Sequence, residues 1–273
     1  MEFKLSNGII IPGIGFGTWQ IPGDVSYEAT MAAIKNGYRH IDTAYAYQNE
    51  EGVGKAIKDC GLKREELFIT TKLPSDIKTY EGAKDYFNRS LKALDLDYLD
   101  LYLIHAPWPW SNVGEDCTEG NIEAFKAMIE LYNEGKIRSI GVSNFRPENI
   151  EPLIKALNFV PHVNQIRFFI GNTQEELYDY CKKNNILIEA YSPLATGNIL
   201  EEPVILDMAK KYNVTPAQIA IRYCIERGTL PLPKSTNPER QKINMDVNFK
   251  MDKADVEILN GIKNKKLERP LRS

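Results

Sequence analysis

Asp42, Tyr47, Lys72 and His105 are set apart from the other titratable residues by position, because each closes or directly follows an apolar, β-branched run. The runs are "YRHIDTA" (38–44), "LFITTKL" (67–73) and "YLDLYLIH" (98–105). An unperturbed tyrosine, with a pKa of about 10, is a weak acid at neutral pH, but an ammonium beside it favours the phenolate and strengthens the acid. A lysine ending a buried run needs a carboxylate partner to stay charged, and an aspartate such as Asp42 paired with it would hold the ammonium in place. A histidine on the other side can orient a carbonyl oxygen and share the proton. Together the four suit protonation of an oxygen that gains negative charge, the acid half of a carbonyl reduction by hydride transfer. No activated nucleophile is evident, so an acyl-enzyme is not indicated. Metal-assisted hydrolysis competes for such a site, but it asks for three or four converging ligands. The chain has three histidines, His40, His105 and His162, and a lysine stands where the cation would sit. No resident metal is expected.

These residues can meet only if the runs carrying them converge. Five further short runs, "GIGFGTW" (13–19), "IRSIGVSNF" (137–145), "VNQIRFF" (163–169), "ILIEAYSPL" (186–194) and "TLPLPKS" (229–235), bring the candidate strands to eight. Segments of helical spacing separate them. Thr173 with Glu176 reads as a capping box, Pro147 and Pro216 as first-turn prolines, and Gly37, Gly61, Gly135 and Gly228 as helix stops. Eight βα units without a Pro-, Gly- or Ser-rich linker predict an α/β fold, a single (β/α)8 barrel spanning residues 1–273 and ending in short extra helices. A doubly wound open sheet fits less well, since "GIGFG" lacks the GxGxxG spacing and no helix follows it directly. The opening "FKLSNGIIIP" alternates around Asn-Gly and predicts a hairpin over one barrel end.

In such a barrel the working groups gather at the C-terminal ends of the strands. In order those ends carry Thr18 and Trp19; Asp42, then Tyr47; Lys72; His105; Ser143 and Asn144; Gln165; Tyr191 and Ser192; Lys234 and Ser235. All three tryptophans, Trp19, Trp108 and Trp110, lie at or just after strand ends, where indoles form an apolar wall for a carbonyl compound. Trp19 and Trp108 are the stronger substrate candidates. The loop "PWPWSNVGEDCTEG" is long enough to close over a ligand and carries Cys117.

The formal charge of −3 and pI near 5.8 give no footprint for nucleic acid. No segment has the ~20 apolar residues of a membrane span, and no signal peptide is recognisable at the N-terminus. Four dispersed cysteines, at 60, 117, 181 and 224, fit neither a zinc site nor a disulfide framework, and the expected location is the cytoplasm.

With these residues in view the chain resembles the aldo-keto reductases, of the prokaryotic diketogluconate- and glyoxal-reductase kind. The likeness runs through "GIGFGTWQ", "GYRHIDTAYAYQNEEGVGKAI", "ITTKL", "DYLDLYLIHAPWP", "IRSIGVSNF", "NQIRF", "AYSPLATG" and "LPLPKSTNPERQKIN". It implies that Tyr47 gives the proton, Lys72 lowers its pKa, Asp42 partners Lys72, and His105 orients the carbonyl. It also implies NADPH extended across the barrel mouth. Tyr191 would stack under the nicotinamide, and Ser143, Asn144 and Gln165 would bond its carboxamide. Thr18, Trp19 and Asp42 would lie close by, with Ser192 and Leu194 beside the pyrophosphate. Lys234, Ser235, Thr236, Arg240 and Asn244 would hold the adenosine end, where two cations and hydroxyls suit a 2′-phosphate. The substrate, a small carbonyl compound, would meet Trp19, Tyr47, His105 and Trp108, and the protein is expected to act as a monomer. The sequence departs from the family at "IRFFIGN" after "NQ", at Ile243 where a Glu often touches the adenine, and at Ala106 where many members have Trp.

Overall fold

Residues 1–263 are described by the computed structural model. Its N-terminal hairpin pairs β1 (Glu2–Lys4) with β2 (Ile10–Pro12), antiparallel, around the turn expected at Asn7-Gly8. Leu5 and Ile11 are buried against Phe68, Leu101, Leu103, Val163, Leu230 and Leu232. The hairpin therefore plugs the N-terminal end of the strands that follow.

Those strands are β3 (Gly15–Gly17), β4 (His40–Asp42), β5 (Phe68–Leu73), β6 (Leu101–Ile104), β7 (Ile140–Ser143), β8 (Val163–Arg167), β9 (Leu187–Tyr191) and β10 (Leu230–Leu232). They form one parallel sheet in sequence order. The Gly17 amide donates to the Pro233 carbonyl at 3.1 Å, which brings first and last strands together and closes the barrel. Helices alternate with the strands: α1 (Gly23–Lys35), α2 (Glu50–Asp59), α3 (Tyr80–Leu94), α4 (Thr118–Asn133), α5 (Pro147–Leu157) and α6 (Glu175–Lys183). After β9 come α7 (Pro203–Tyr212) and α8 (Pro216–Glu226), and after β10 come α9 (Pro238–Met245) and α10 (Lys253–Asn260). The eight strand readings and the barrel thus hold.

Two local readings change. The Thr173–Glu176 capping box does not form. Gln174, at φ 48°, precedes α6 and donates its amide to the Arg167 carbonyl at 2.6 Å, and this tether turns the chain so that Thr173 bonds Glu175 instead. A capping box does open α8, where the Thr215 hydroxyl accepts from the Gln218 amide and the Gln218 side chain accepts from the Thr215 amide. Helix α7 is additional to the expected segments, although Pro203 at its start and Ile205, Met208 and Ala209 on its buried face carry the helical period. The four glycines expected to stop helices all take φ between 71 and 99°.

Side chains alternate along a strand, so residues two apart share a face. The inward rows climb from Phe68 through Thr70 to Lys72, from His40 to Asp42, from Leu101 through Leu103 to His105, and from Leu187 through Glu189 to Tyr191. Apart from His40 the lower rows are apolar and packed on the hairpin; the upper rows are polar. That gradient delivers the site to the C-terminal end of the barrel.

Candidate active site

Lys72 is fully buried, and its Nζ donates to Asp42 Oδ1 at 2.8 Å, to Asp42 Oδ2 at 2.7 Å and to the Thr43 carbonyl at 2.8 Å. The ammonium lies 5.1 Å from the centroid of the Tyr47 ring. Tyr47 in turn meets His105 edge to face, with centroids 5.5 Å apart. Four residues dispersed along the chain between Asp42 and His105 therefore form one cluster. Burial works against the Lys72 charge, but Asp42, Tyr47 and Glu189 outweigh it and hold the ammonium above its ordinary pKa. Burial and the Lys72 charge push His105 down to about 3, so its ring is neutral at physiological pH. For Tyr47 burial and the Lys72 cation oppose each other. Desolvation raises its pKa and Asp42 adds to the rise; Lys72 pulls it down by charge and hydrogen bond without reversing it. In the protein alone Tyr47 is thus a firmly protonated hydroxyl beside a cation.

Asn49, which no sequence signal marks, fastens the frame of this cluster. Its amide donates to the Thr18 and Ile21 carbonyls, each at 3.0 Å, and accepts from the Thr43 hydroxyl at 2.7 Å. Thr18 gives its own hydroxyl to the Asp42 carbonyl at 3.0 Å, so its visible partner is the strand end beneath Asp42.

A second polar group continues around the mouth. Ser143 donates to the Gln165 carbonyl at 2.9 Å, and the Asn144 amide donates to the His105 carbonyl at 3.1 Å and to Ser143 Oγ at 3.0 Å. Tyr191 donates its hydroxyl to Asn144 Oδ1 at 2.8 Å. Gln165 is turned inward: its Nε2 is shared between Asp42 Oδ1 at 2.7 Å and Glu189 Oε2 at 2.8 Å. Its Nε2 is engaged by these two carboxyls of the protein. Asn144 has φ 62°, and Ser192, Ala195 and Thr196 lie at 52, 48 and 56°. Four non-glycine residues in the left-handed region, each costing about 1–3 kcal/mol, are the kind of strain that collects at ligand sites.

Beyond β10, Lys234, Thr236 and Arg240 are exposed and Ser235 is partly so, while Asn244 is buried in α9. Among the described residues no carboxylate pairs with Lys234 or Arg240. Lys234 and Thr236 also border an open groove of ≈ 510 Å³ shared with Gln20, Val25 and Glu28. The chemistry of these groups fits a phosphorylated dinucleotide: carboxamides, a hydroxyl and an aromatic ring at one end, cations beside Ser235 at the other. Leu194 is half-buried just before the strained turn.

Trp19 is 47% exposed at the rim. Trp108 and Trp110 pack edge to face at 4.9 Å, and it is Trp110 that reaches the His105 ring, at 6.1 Å. Trp110 is thus in ring contact with both Trp108 and His105. Lys78, another residue without a sequence signal, donates to the Ala106 carbonyl and to Asn121 Oδ1, both at 2.7 Å, while Asn121 Nδ2 holds the Pro107 carbonyl at 2.8 Å. This clamp fixes the peptide that follows His105. Cys117 is partly buried at the N-terminus of α4, and burial raises its thiol pKa, which is the opposite of an activated thiol. His40 faces Thr70 at 3.0 Å, and among the described residues no three His, Cys, Asp or Glu side chains form a metal-ligand group.

Residues 13–264 match the model of the aldo/keto reductase family. Glyoxal reductase of Bacillus subtilis is 42% identical over 261 residues, covering 95% of this chain and 91% of that protein. Methylglyoxal reductase DkgA of Escherichia coli is 43% identical over 256 residues, covering 93% and 90%. The crystal structure of a Gox0644 mutant in complex with NADPH superposes with a TM-score of 0.92 at 36% identity, over 100% of this chain and 97% of that one. The barrel, the buried ion pair at its mouth and the match across nearly the whole length agree: the chain belongs to the aldo/keto reductase family, whose members are NADP-dependent oxidoreductases.

Proposed function

We propose that the protein reduces small aldehydes and ketones, 2-oxoaldehydes of the glyoxal type among them, to alcohols with NADPH, and that Tyr47 is the proton donor. The observation that carries this reading is the convergence of a protonated Tyr47, a charged Lys72 held by Asp42, and a neutral His105 on one barrel mouth. The glyoxal and methylglyoxal reductases to which the chain is similar support the substrate class.

Ser143, Asn144 and Tyr191 would hold the nicotinamide end of NADPH, and Lys234, Ser235 and Arg240 its 2′-phosphate. The bound cofactor supplies the hydride. His105, uncharged, directs the carbonyl oxygen toward Tyr47 without competing as a cation. Tyr47 gives its proton to that oxygen as the C=O bond becomes C–O, and regains one from solvent. Lys72 stabilises the negative charge that passes through the phenol, and Asp42 keeps Lys72 in place. Trp19, Trp108 and Trp110 keep water from the carbonyl and set an apolar boundary. The protein is read as a monomer, and its four free cysteines suit a reducing cytoplasm.

The test follows NADPH oxidation with methylglyoxal and compares the wild type with Tyr47→Phe. A loss of about 10²–10⁴ in kcat with the NADPH dissociation constant unchanged is expected. An undiminished rate would remove Tyr47 from the role. Tight NADPH binding with no oxidation across a carbonyl panel would replace the enzyme with a cofactor sensor.

A further inference from the structure

Glu189 is a fully buried carboxyl that the proposed reaction leaves without a task and that, unlike the buried Asp100 with its two arginines, has no cation paired with it directly. It lies on β9 in register with Gln165 of β8 and Leu230 of β10, is 0% exposed, and points inward one row below Tyr191. Its Oε2 accepts from Gln165 Nε2 at 2.8 Å, and the same nitrogen donates to Asp42 Oδ1 at 2.7 Å. Its Oε1 has no hydrogen-bond partner and stands 3.7 Å from His40 Nε2, while the His40 Nδ1 atom is equally unpartnered. The imidazole packs into the space that Gly15 leaves open, where a Cβ would stand 2.7 Å from His40 Nδ1.

The charges around this group decide its state. His40 and Asp42 face it from β4, Lys72 from β5 and Gln165 from β8; β10 contributes only Leu230 and Leu232, and Tyr47 lies above. Lys72 is the cation that acts on Glu189, and both Asp42 oxygens already claim it, whereas Arg167 of β8 acts one row higher, on Tyr191. Two ionised carboxylates joined through one amide would leave an excess negative charge in a dry barrel, which is strongly unfavourable. Burial and Asp42 push the Glu189 carboxyl up to about 8, against the opposing pull of Gln165 and Lys72. Burial and Lys72 push His40 down to about 3, so His40 does not take the proton.

We propose that Glu189 is a positioning residue for the reduction: as a protonated carboxyl it fixes Gln165 on Asp42 and leaves Lys72 with a single countercharge, so that the field on Tyr47 stays positive. Ionising Glu189 adds a second negative charge behind Lys72 and weakens Tyr47 as an acid. The inference rests on the reading of Tyr47 as proton donor, and it makes an independent statement about the protein without cofactor.

Carbon-detected NMR of glutamate carboxyls on the cofactor-free wild type, with Glu189→Gln to assign the signal, reads the proton directly. The Glu189 signal is expected to be that of a neutral acid near pH 6 and to titrate well above the usual carboxylate range of about 4.3. A titration in that ordinary range overturns the inference whatever the enzymology shows. The second measurement is kcat for methylglyoxal reduction across pH. The wild type should lose rate between about pH 7 and 9, and the ratio of kcat at pH 9 to that at pH 7 should rise at least about threefold in Glu189→Gln, whose amide mimics the neutral acid. Parallel profiles for the two proteins also overturn it. If the NMR result holds while Tyr47→Phe retains full rate, the fault lies with the role of Tyr47 and not with the proton on Glu189.

Discussion

Lys72 Nζ sits 2.7 and 2.8 Å from the two oxygens of Asp42, in a place where neither side chain is more than 5% exposed. Removing one partner of such a pair strands the other as a buried charge. Lys72→Met is expected to cost about 3–5 kcal/mol of stability, whereas Lys72→Met combined with Asp42→Asn recovers much of that cost. Urea denaturation measures the stability. Both variants should be nearly inactive, because neither offers Tyr47 a cation.

Lys78 holds the Ala106 carbonyl and Asn121 from outside the catalytic cluster. Lys78→Met leaves a buried carbonyl short of a donor, at about 1–3 kcal/mol, and loosens the peptide carrying His105. The expected result is a fall of roughly tenfold in kcat/KM for methylglyoxal with NADPH binding intact, and Lys78→Arg should restore part of it. Steady-state kinetics with direct cofactor titration separate the two effects.

Lys234 and Arg240 have no carboxylate partner among the described residues. Replacing either with Ala should raise the KM for NADPH about tenfold, about 1.4 kcal/mol, while leaving the KM for NADH nearly as it was. An equal change for both cofactors would place these cations elsewhere than at the 2′-phosphate.

His40, His105 and His162 are all buried in the neutral form, at about 3, 3 and 4. In the unfolded chain each binds a proton near 6.5. The unfolded state therefore takes up more protons as pH falls through that value, and stability present above about pH 6.5 is lost toward pH 4. Glu189 acts with the opposite sign but is outnumbered. The urea midpoint should be lower near pH 5 than near pH 7.

Gly54 gives a control far from the chemistry. A Cβ there would stand 2.3 Å from the Leu94 carbonyl oxygen and 2.6 Å from two further backbone atoms, where α2 crosses the end of α3. Gly54→Ala is expected to destabilise by about 1–3 kcal/mol or more through forced separation of the helices. Differential scanning calorimetry checks it, and the kcat of the folded protein should be preserved.

Much of this architecture is local and legible in the chain. Strand runs, first-turn prolines and glycine stops are decided within a few residues, and they yield eight βα units and the strand ends that carry Asp42, Lys72, His105, Ser143 and Tyr191. The α7 signal at Pro203, Ile205, Met208 and Ala209 is equally local, but a helix inserted between β9 and α8 breaks the simple alternation of strand and helix. Gly54 looks like an ordinary weak helix residue, since nothing in the sequence says that Leu94 will lie against it.

What the tertiary structure alone decided concerns distances between residues far apart in sequence. Gln165 lies 123 positions from Asp42 and 24 from Glu189, and one amide joins them. The neutral state of His105, the upward shift of Tyr47 and the proton assigned to Glu189 depend on how much water and how many countercharges surround each group. Thr173 lost its cap to a tether between Gln174 and Arg167, and Trp110 reached His105 by a turn of its loop. The sequence by itself named the chemical groups and the barrel that gathers them. Their protonation states and partners followed only from closure, because charge in a protein interior is set by neighbours in space.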